Sequence, residues 1–171
     1  MNSESLILKE ILEARENRAK TQRELINIFR TTVVSFTLNI PGPEKTNSIL
    51  NKVHEKGIWL LEEELGKQNI NIVGKVVKST AAGDEAFFTV DVDAINVKKV
   101  TASIEDKSEL GRLFDFDVFT ADAKQVSRSE IGLSERKCLL CNDSAKVCGR
   151  GRKHSINDLL NKIYQIIKDC K

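Results

Sequence analysis

The sequence predicts a single α+β domain over residues 1–171, a mainly antiparallel sheet packed by N-terminal, central and C-terminal helices. Three observations carry that expectation. Amphipathic stretches with helical periodicity lie near residues 5–29, near 45–65 and from about 155 onward. Between them stand β-branched and aromatic runs bounded by turn signals. A chain of 171 residues also fits one domain and can bury a core without covalent staples. Composition agrees, since 40% hydrophobic and 30% charged residues are ordinary for a soluble globular protein. No apolar run approaches the roughly 20 residues that cross a bilayer, so no membrane partner is expected. The N-terminus is charged in helical spacing and has no basic stub before an apolar block, so the expected location is the cytoplasm.

The first helix carries a stripe of Leu8, Ile11, Arg15, Arg18, Gln22, Leu25 and Phe29. Its middle is polar. Inward arginines need partners, so Arg15 and Arg18 either pair with carboxylates of the same chain or line an anion-binding cleft. Residues 31–40, TTVVSFTLNI, read as a strand that Pro41-Gly42-Pro43 stops, and the chain has only 2 prolines. A second helix over 45–65 is anchored by Ile49, Leu50, Val53, Trp59, Leu60 and Leu61, with Gly66 as its stop. Strands are expected over 70–78, 86–94 and 99–105, with Gly83-Asp84 turning between the first two, and again over 110–120. Ser155 and Asp158 approximate a capping box for the last helix, whose buried face is Ile156, Leu159, Leu160, Ile163 and Ile167.

Asp115 and Asp117 stand two apart on the last predicted strand, so they share a face while Phe114, Phe116 and Val118 take the other. Two adjacent carboxylates repel, and Mg²⁺ bound by one or two carboxylates together with substrate phosphates relieves that repulsion. The spacing is not specific by itself, because Asp91 and Asp93 repeat it and a solvent-facing pair gives the same pattern. Cys138-x-x-Cys141 followed by Cys148 and His154 offers four ligands for tetrahedral Zn²⁺. Unliganded buried thiols, or a Cys138 nucleophile assisted by His154, are the other readings. His54 has no acidic or metal-binding partner in sequence and reads as structural or exposed. From Arg128 to Lys153 the chain is basic, which suits a phosphorylated ligand or a solvated face.

Four stretches together resemble one family: Ala14-Arg15-Glu16-Asn17-Arg18 with Gln22, the block from Ser35 through Pro41-Gly42-Pro43 to Lys45, Gly111-Arg112-Leu113-Phe114-Asp115-Phe116-Asp117-Val118, and Arg136-Lys137-Cys138 through Cys141, Ala145, Cys148, Arg150 and His154. The combination resembles the apo-citrate lyase phosphoribosyl-dephospho-CoA transferases. That resemblance implies transfer of the prosthetic group from triphosphoribosyl-dephospho-CoA to a serine of the citrate lyase acyl-carrier subunit, with release of diphosphate. The nucleophile then belongs to the partner. It also implies Mg²⁺ on Asp115 and Asp117, by similarity to nucleotidyltransferases with paired aspartates on a strand, although Gly111-Arg112 stands where those carry Gly-Ser. Arg15 and Arg18 would face the triphosphate, and Asn39, Gly42 and Lys45 would form a phosphate turn. Arg112, Arg128, Arg136, Arg150 and Arg152 are further candidates for the triphosphate or the dephospho-CoA moiety.

Two rival functions are a zinc-knuckle nucleic-acid-binding module and a non-enzymatic citrate lyase assembly factor. The first is disfavoured, because no Phe, Trp or Tyr lies between Lys124 and Lys153 to stack on bases. A domain that makes the triphosphoribosyl precursor is a third rival, against which the quoted motifs speak.

Overall fold

The computed structural model describes residues 3–170. In chain order the elements are α1 (Ser3–Phe29), β1 (Thr32–Leu38), α2 (Ser48–Lys67), β2 (Ile72–Thr80), β3 (Gly83–Val90), α3 (Ala94–Asp106), β4 (Phe114–Phe119), α4 (Ala145–Gly151) and α5 (Ile156–Asp169). Short 3₁₀ turns occupy Leu110–Leu113 and Ser129–Ile131. The four strands form one antiparallel sheet in the order β2-β3-β1-β4, so the first strand is central and the last lies at an edge.

Strand alternation divides the sheet into two unlike faces. One presents Val34 and Phe36 of β1, Ala86, Phe88 and Val90 of β3, and Phe114, Phe116 and Val118 of β4, all buried. Against it pack Leu50, Val53, Leu61 and Leu65 of α2, Val97, Val100 and Ile104 of α3, and Ile163, Ile166 and Ile167 of α5. At its centre the Phe36 ring stacks on Phe116 at 4.3 Å and on the buried His54 at 4.7 Å, and meets Phe114 edge-on. His54 is therefore structural, and it belongs to the core. Gly57 lets α2 approach this cluster, because a Cβ there would lie 2.3 Å from the Phe36 ring.

The other face is polar and lies under α1. The register Thr32↔Val90 and Val33↔Phe119 places Lys78, Glu85, Thr37 and Asp115 in one row across all four strands, with Phe87, Ser35 and Asp117 in the next. Arg18 of α1 reaches down to Glu85, and Lys78 donates to Thr21 Oγ1 at 3.0 Å. The buried line of α1 is Ile11, Ala14, Thr21 and Ile26, while Leu8, Leu12 and Phe29 are exposed. The apolar stripe expected from sequence is thus rotated, since the face below it is polar.

Residues 99–105, expected as a strand, are helical. Asp93 caps α3 by accepting from Asn96 N, and Val97, Val100, Thr101, Ile104 and Glu105 are buried at helical spacing. That periodicity overrides the strand preference of the β-branched residues. The cap also explains Asp93, which does not pair with Asp91 on a strand. The strand expected over 110–120 begins only at Phe114, after the 3₁₀ turn. Gly111 lies in that turn because it passes against the end of α3, where a Cβ would sit 2.2 Å from the Ile104 carbonyl oxygen.

Candidate active site

The outer edge of β4 has no open hydrogen-bonding groups at its centre. Phe116 N donates to Glu105 Oε1 at 3.0 Å, and Phe116 O accepts from Lys98 Nζ at 2.9 Å. Phe114 O accepts from Arg136 Nη1 at 2.7 Å, and Val118 O from Val126 N at 2.8 Å. Side chains of α3 and the following loops therefore substitute for a fifth strand. This bracing fixes β4, and with it the two aspartates.

Asp115 and Asp117 share a face as expected, next to Thr37 and Ser35 of β1. Asp115 is half exposed and lies 4.0 Å from Arg136 Nη1. Asp117 is less accessible and accepts from Gln125 Nε2 at 2.5 Å. Burial pushes the Asp117 carboxyl up to about 6, and Asp115 adds to the rise, while Lys98 and Arg18 oppose it. The strand thus holds two carboxylates whose mutual repulsion the protein leaves only partly compensated, a donor set that fits a hard divalent cation.

Of the two alternatives for the polar face of α1, pairing with a carboxylate holds for Arg18. Arg18 is paired, with Nε 2.7 Å from the Glu85 carboxylate, which is 2% exposed. Arg15 is exposed. Lys45 lies close enough to both arginines that, after burial itself, their charges lower its pKa. Its ammonium donates to Ile40 O. Arg15 and Arg18 thus both act on Lys45, and Arg18 itself is seated on the sheet face through Glu85. Sequence reasoning assigned nothing to Glu85, Ser35 or Thr37. Their signal was present as polar residues at alternating positions of otherwise apolar strands.

Most of the remaining candidates line a second region, a cleft of about 1250 Å³ between the β1–α2 turn, the loops after β4 and α5. Asn39, Gly42, Arg112, Arg136 and Arg152 are on its wall. Gly42 has φ +83° and sits against Ile156 at the start of α5, a backbone that L side chains rarely adopt. Arg136 connects the two regions: it lines the cleft, bonds the carbonyls of Arg112 and Phe114 at 2.7 Å each, and approaches Asp115. Arg128 also borders the cleft, but its donors are engaged by Glu105, Asp106 and the Ser134 carbonyl. It braces Glu105 from the rim of the cleft. Arg150 is exposed on α4 and does not line the cleft.

Cys138, Cys141, Cys148 and His154 also meet at the cleft, with their ligand atoms all within 4.8 Å of one another. No disulfide joins the three cysteines. Burial, then hydrogen bonding by the Cys141 and Cys138 thiols, holds the Cys148 thiol well above the ordinary range.

The sequence profile of the apo-citrate lyase phosphoribosyl-dephospho-CoA transferase family matches residues 6–170. Proteins of that name from Shigella boydii and Escherichia coli are 33% identical over 162 residues, covering 95% of this chain and 88% of theirs. The Protein CitXG of Haemophilus influenzae is 35% identical over 162 residues, and there the chain spans only 35% of the relative's length. A match of this extent, from α1 through the sheet to α5, settles the relationship: the chain belongs to the apo-citrate lyase phosphoribosyl-dephospho-CoA transferase family.

Proposed function

We propose that this protein is a cytoplasmic nucleotidyl-type transferase that moves the phosphoribosyl-dephospho-CoA group from triphosphoribosyl-dephospho-CoA to a serine of the citrate lyase acyl-carrier subunit. Family membership supports the reaction class. The observation that carries it to particular residues is the aspartate pair sharing one face of β4, with the Arg18 charge acting on Asp117.

In this reading the serine oxygen attacks the phosphorus nearest the ribose. A new P–O bond forms there, the bond to the diphosphate breaks, and the serine proton passes to a carboxylate. Asp115, the more exposed of the pair, is the one an incoming serine reaches first. Asp115 and Asp117 would hold Mg²⁺, which when bound neutralises charge on the transferring phosphoryl group. Arg15 and Lys45 receive the departing diphosphate as fixed positive charge, and Arg18 is held in position by Glu85. The cleft takes the dephospho-CoA portion. Its cations include Arg112, Arg136 and Arg152, and Leu140, Leu159 and Ile163 supply apolar wall.

The test is the intact mass of apo acyl-carrier subunit after incubation with this protein, Mg²⁺ and triphosphoribosyl-dephospho-CoA. A gain equal to phosphoribosyl-dephospho-CoA, lost with Asp115→Asn, is the expected result. No gain with a competent carrier would sink the reading. Transfer by Asp115→Asn at the unaltered rate would remove the aspartate from the mechanism and favour a docking role.

A further inference from the structure

The cysteine cluster has no part in the transfer just described, yet its geometry is specific. Cys141 Sγ lies 3.4 Å from Cys148 Sγ and 3.3 Å from His154 Nε2. With Cys138 Sγ, the four atoms all fall within 4.8 Å of one another. A tetrahedral zinc ion with metal–sulfur bonds near 2.3 Å and metal–nitrogen bonds near 2.0 Å needs ligand–ligand edges of about 3.5–3.8 Å. The observed spacing brackets that range.

The backbone around the cluster is built to hold the sulfurs. Cys138 N donates to Asp143 O at 2.8 Å, Ala145 N donates to Arg136 O at 2.8 Å, and Lys137 bridges to Ser144, so Cys138 and Cys141 lie on a tight closed knuckle. Cys148 comes from α4, and His154 immediately precedes Ser155, the N-cap of α5.

Between β4 and α4 the chain forms no α-helix or strand, only a 3₁₀ turn over Ser129–Ile131. Few large apolar side chains of this stretch are buried; Val126 is one, and Leu139 is partly so. A segment with so little core of its own needs another source of order.

We infer that Cys138, Cys141, Cys148 and His154 bind one Zn²⁺ ion in a closed, structural tetrahedral site that pins the wall of the cleft to α5. All four positions are filled by protein, which leaves none for substrate. The consequence for the cleft runs through Arg112, whose Nη2 donates to Cys138 O at 2.8 Å while Arg136 holds the Arg112 carbonyl. The zinc site therefore positions Arg112, and it orders the knuckle whether or not the transfer reaction is the one proposed above.

The experiment is elemental analysis and thiol titration of the purified protein, made in zinc-supplemented medium and desalted without chelator. One zinc per chain is expected. Native protein should then show one accessible thiol, Cys170, and four thiols after denaturation with chelator. Cobalt exchanged into the site should give the visible bands of tetrahedral cobalt–thiolate coordination. Cys141→Ser should lower zinc affinity by more than about 100-fold, beyond the loss of an outer-shell partner. Should that variant fail to fold, His154→Cys retains four ligands and should keep zinc with a shifted cobalt spectrum. Zinc far below one per chain, with four thiols accessible or with Cys141 and Cys148 joined as a disulfide, overturns the inference. Stoichiometric zinc retained unchanged by Cys141→Ser overturns the ligand assignment.

Discussion

The aspartate face of the sheet and the cysteine knuckle gather ionisable groups in opposite ways. Asp115 and Asp117 are set by a strand that is laddered to β1 on one side and clamped by Glu105, Lys98 and Arg136 on the other. Their spacing follows from the pleat, and ligand binding has little left to arrange. Cys138, Cys141, Cys148 and His154 come from a knuckle, a short helix and a helix cap, with a few backbone bonds between them. There the four ligands themselves, once joined through a common ion, are the main tie. A site meant to stabilise charge in a reaction gains from the first arrangement, because preorganised groups need no reorganisation as charge develops. A site meant to hold a loop in place can use the second.

The sharpest way to separate the two regions is to remove charge from the first. Asp117→Asn should lower transfer by roughly 10³-fold, about 4 kcal/mol of barrier, in assays with saturating Mg²⁺. Zinc content and unfolding midpoint should stay at the unmodified values. A variant that loses zinc together with activity would show that the strand and the knuckle are one unit.

A second break attacks the clamp. Glu105 is buried and serves Phe116 N, Arg128 and, at 4.0 Å, Arg136. Glu105→Ala leaves one mostly buried guanidinium and one edge amide without their partner, so it should destabilise folding by about 3–5 kcal/mol in urea titration. The loss should appear at β4 first, as faster amide exchange at Phe116. Gly111→Ala acts on the joint between the regions. Its methyl would meet the Ile104 carbonyl, and the turn cannot move without shifting Arg112 from Cys138. A cost of about 2–3 kcal/mol is expected, or roughly 5–10 °C in thermal midpoint. An unchanged midpoint would mean that the turn is looser than its packing implies.

What the sequence made legible divides along the same line. Alternation on β4 shows at once that Asp115 and Asp117 share a face, because Phe114, Phe116 and Val118 intervene. The cysteine pattern is equally local: four ligands in 17 residues, 138 through 154, need little knowledge of the fold. Pairings between distant elements are a different matter. Whether Arg18 meets a ligand or a carboxylate depends on the strand register that puts Glu85 beneath α1, and nothing near Arg18 announces it. Arg128 looks like a ligand cation until Glu105 is known to face it from α3. The reading of 99–105 as a strand hid that face altogether. Asp93 as a helix cap, with Val97, Val100, Thr101 and Ile104 following at helical spacing, was the overlooked local signal.

The smallest expected effect concerns the sheet's opposite face and its response to pH. His54 is buried against Phe36 with Nε2 lacking a hydrogen-bond partner, and burial lowers its pKa below the ordinary 6.5, opposed by Asp84, the Phe36 backbone and Glu55. The folded protein therefore favours neutral His54, while the unfolded chain takes up a proton near pH 6.5. Below that pH the unfolded state binds more protons, so this residue's contribution is present above 6.5 and is lost as pH falls toward the folded value. The slope in that window is at most about 1.4 kcal/mol per pH unit for one group. His54→Phe keeps an aromatic ring against Phe36 and removes the titration. Urea midpoints at pH 7.5 and 5.5 should therefore differ less in the variant than in the unmodified protein, with carboxylate contributions cancelling in the comparison. An equal pH dependence in both would place the proton uptake at a group other than His54.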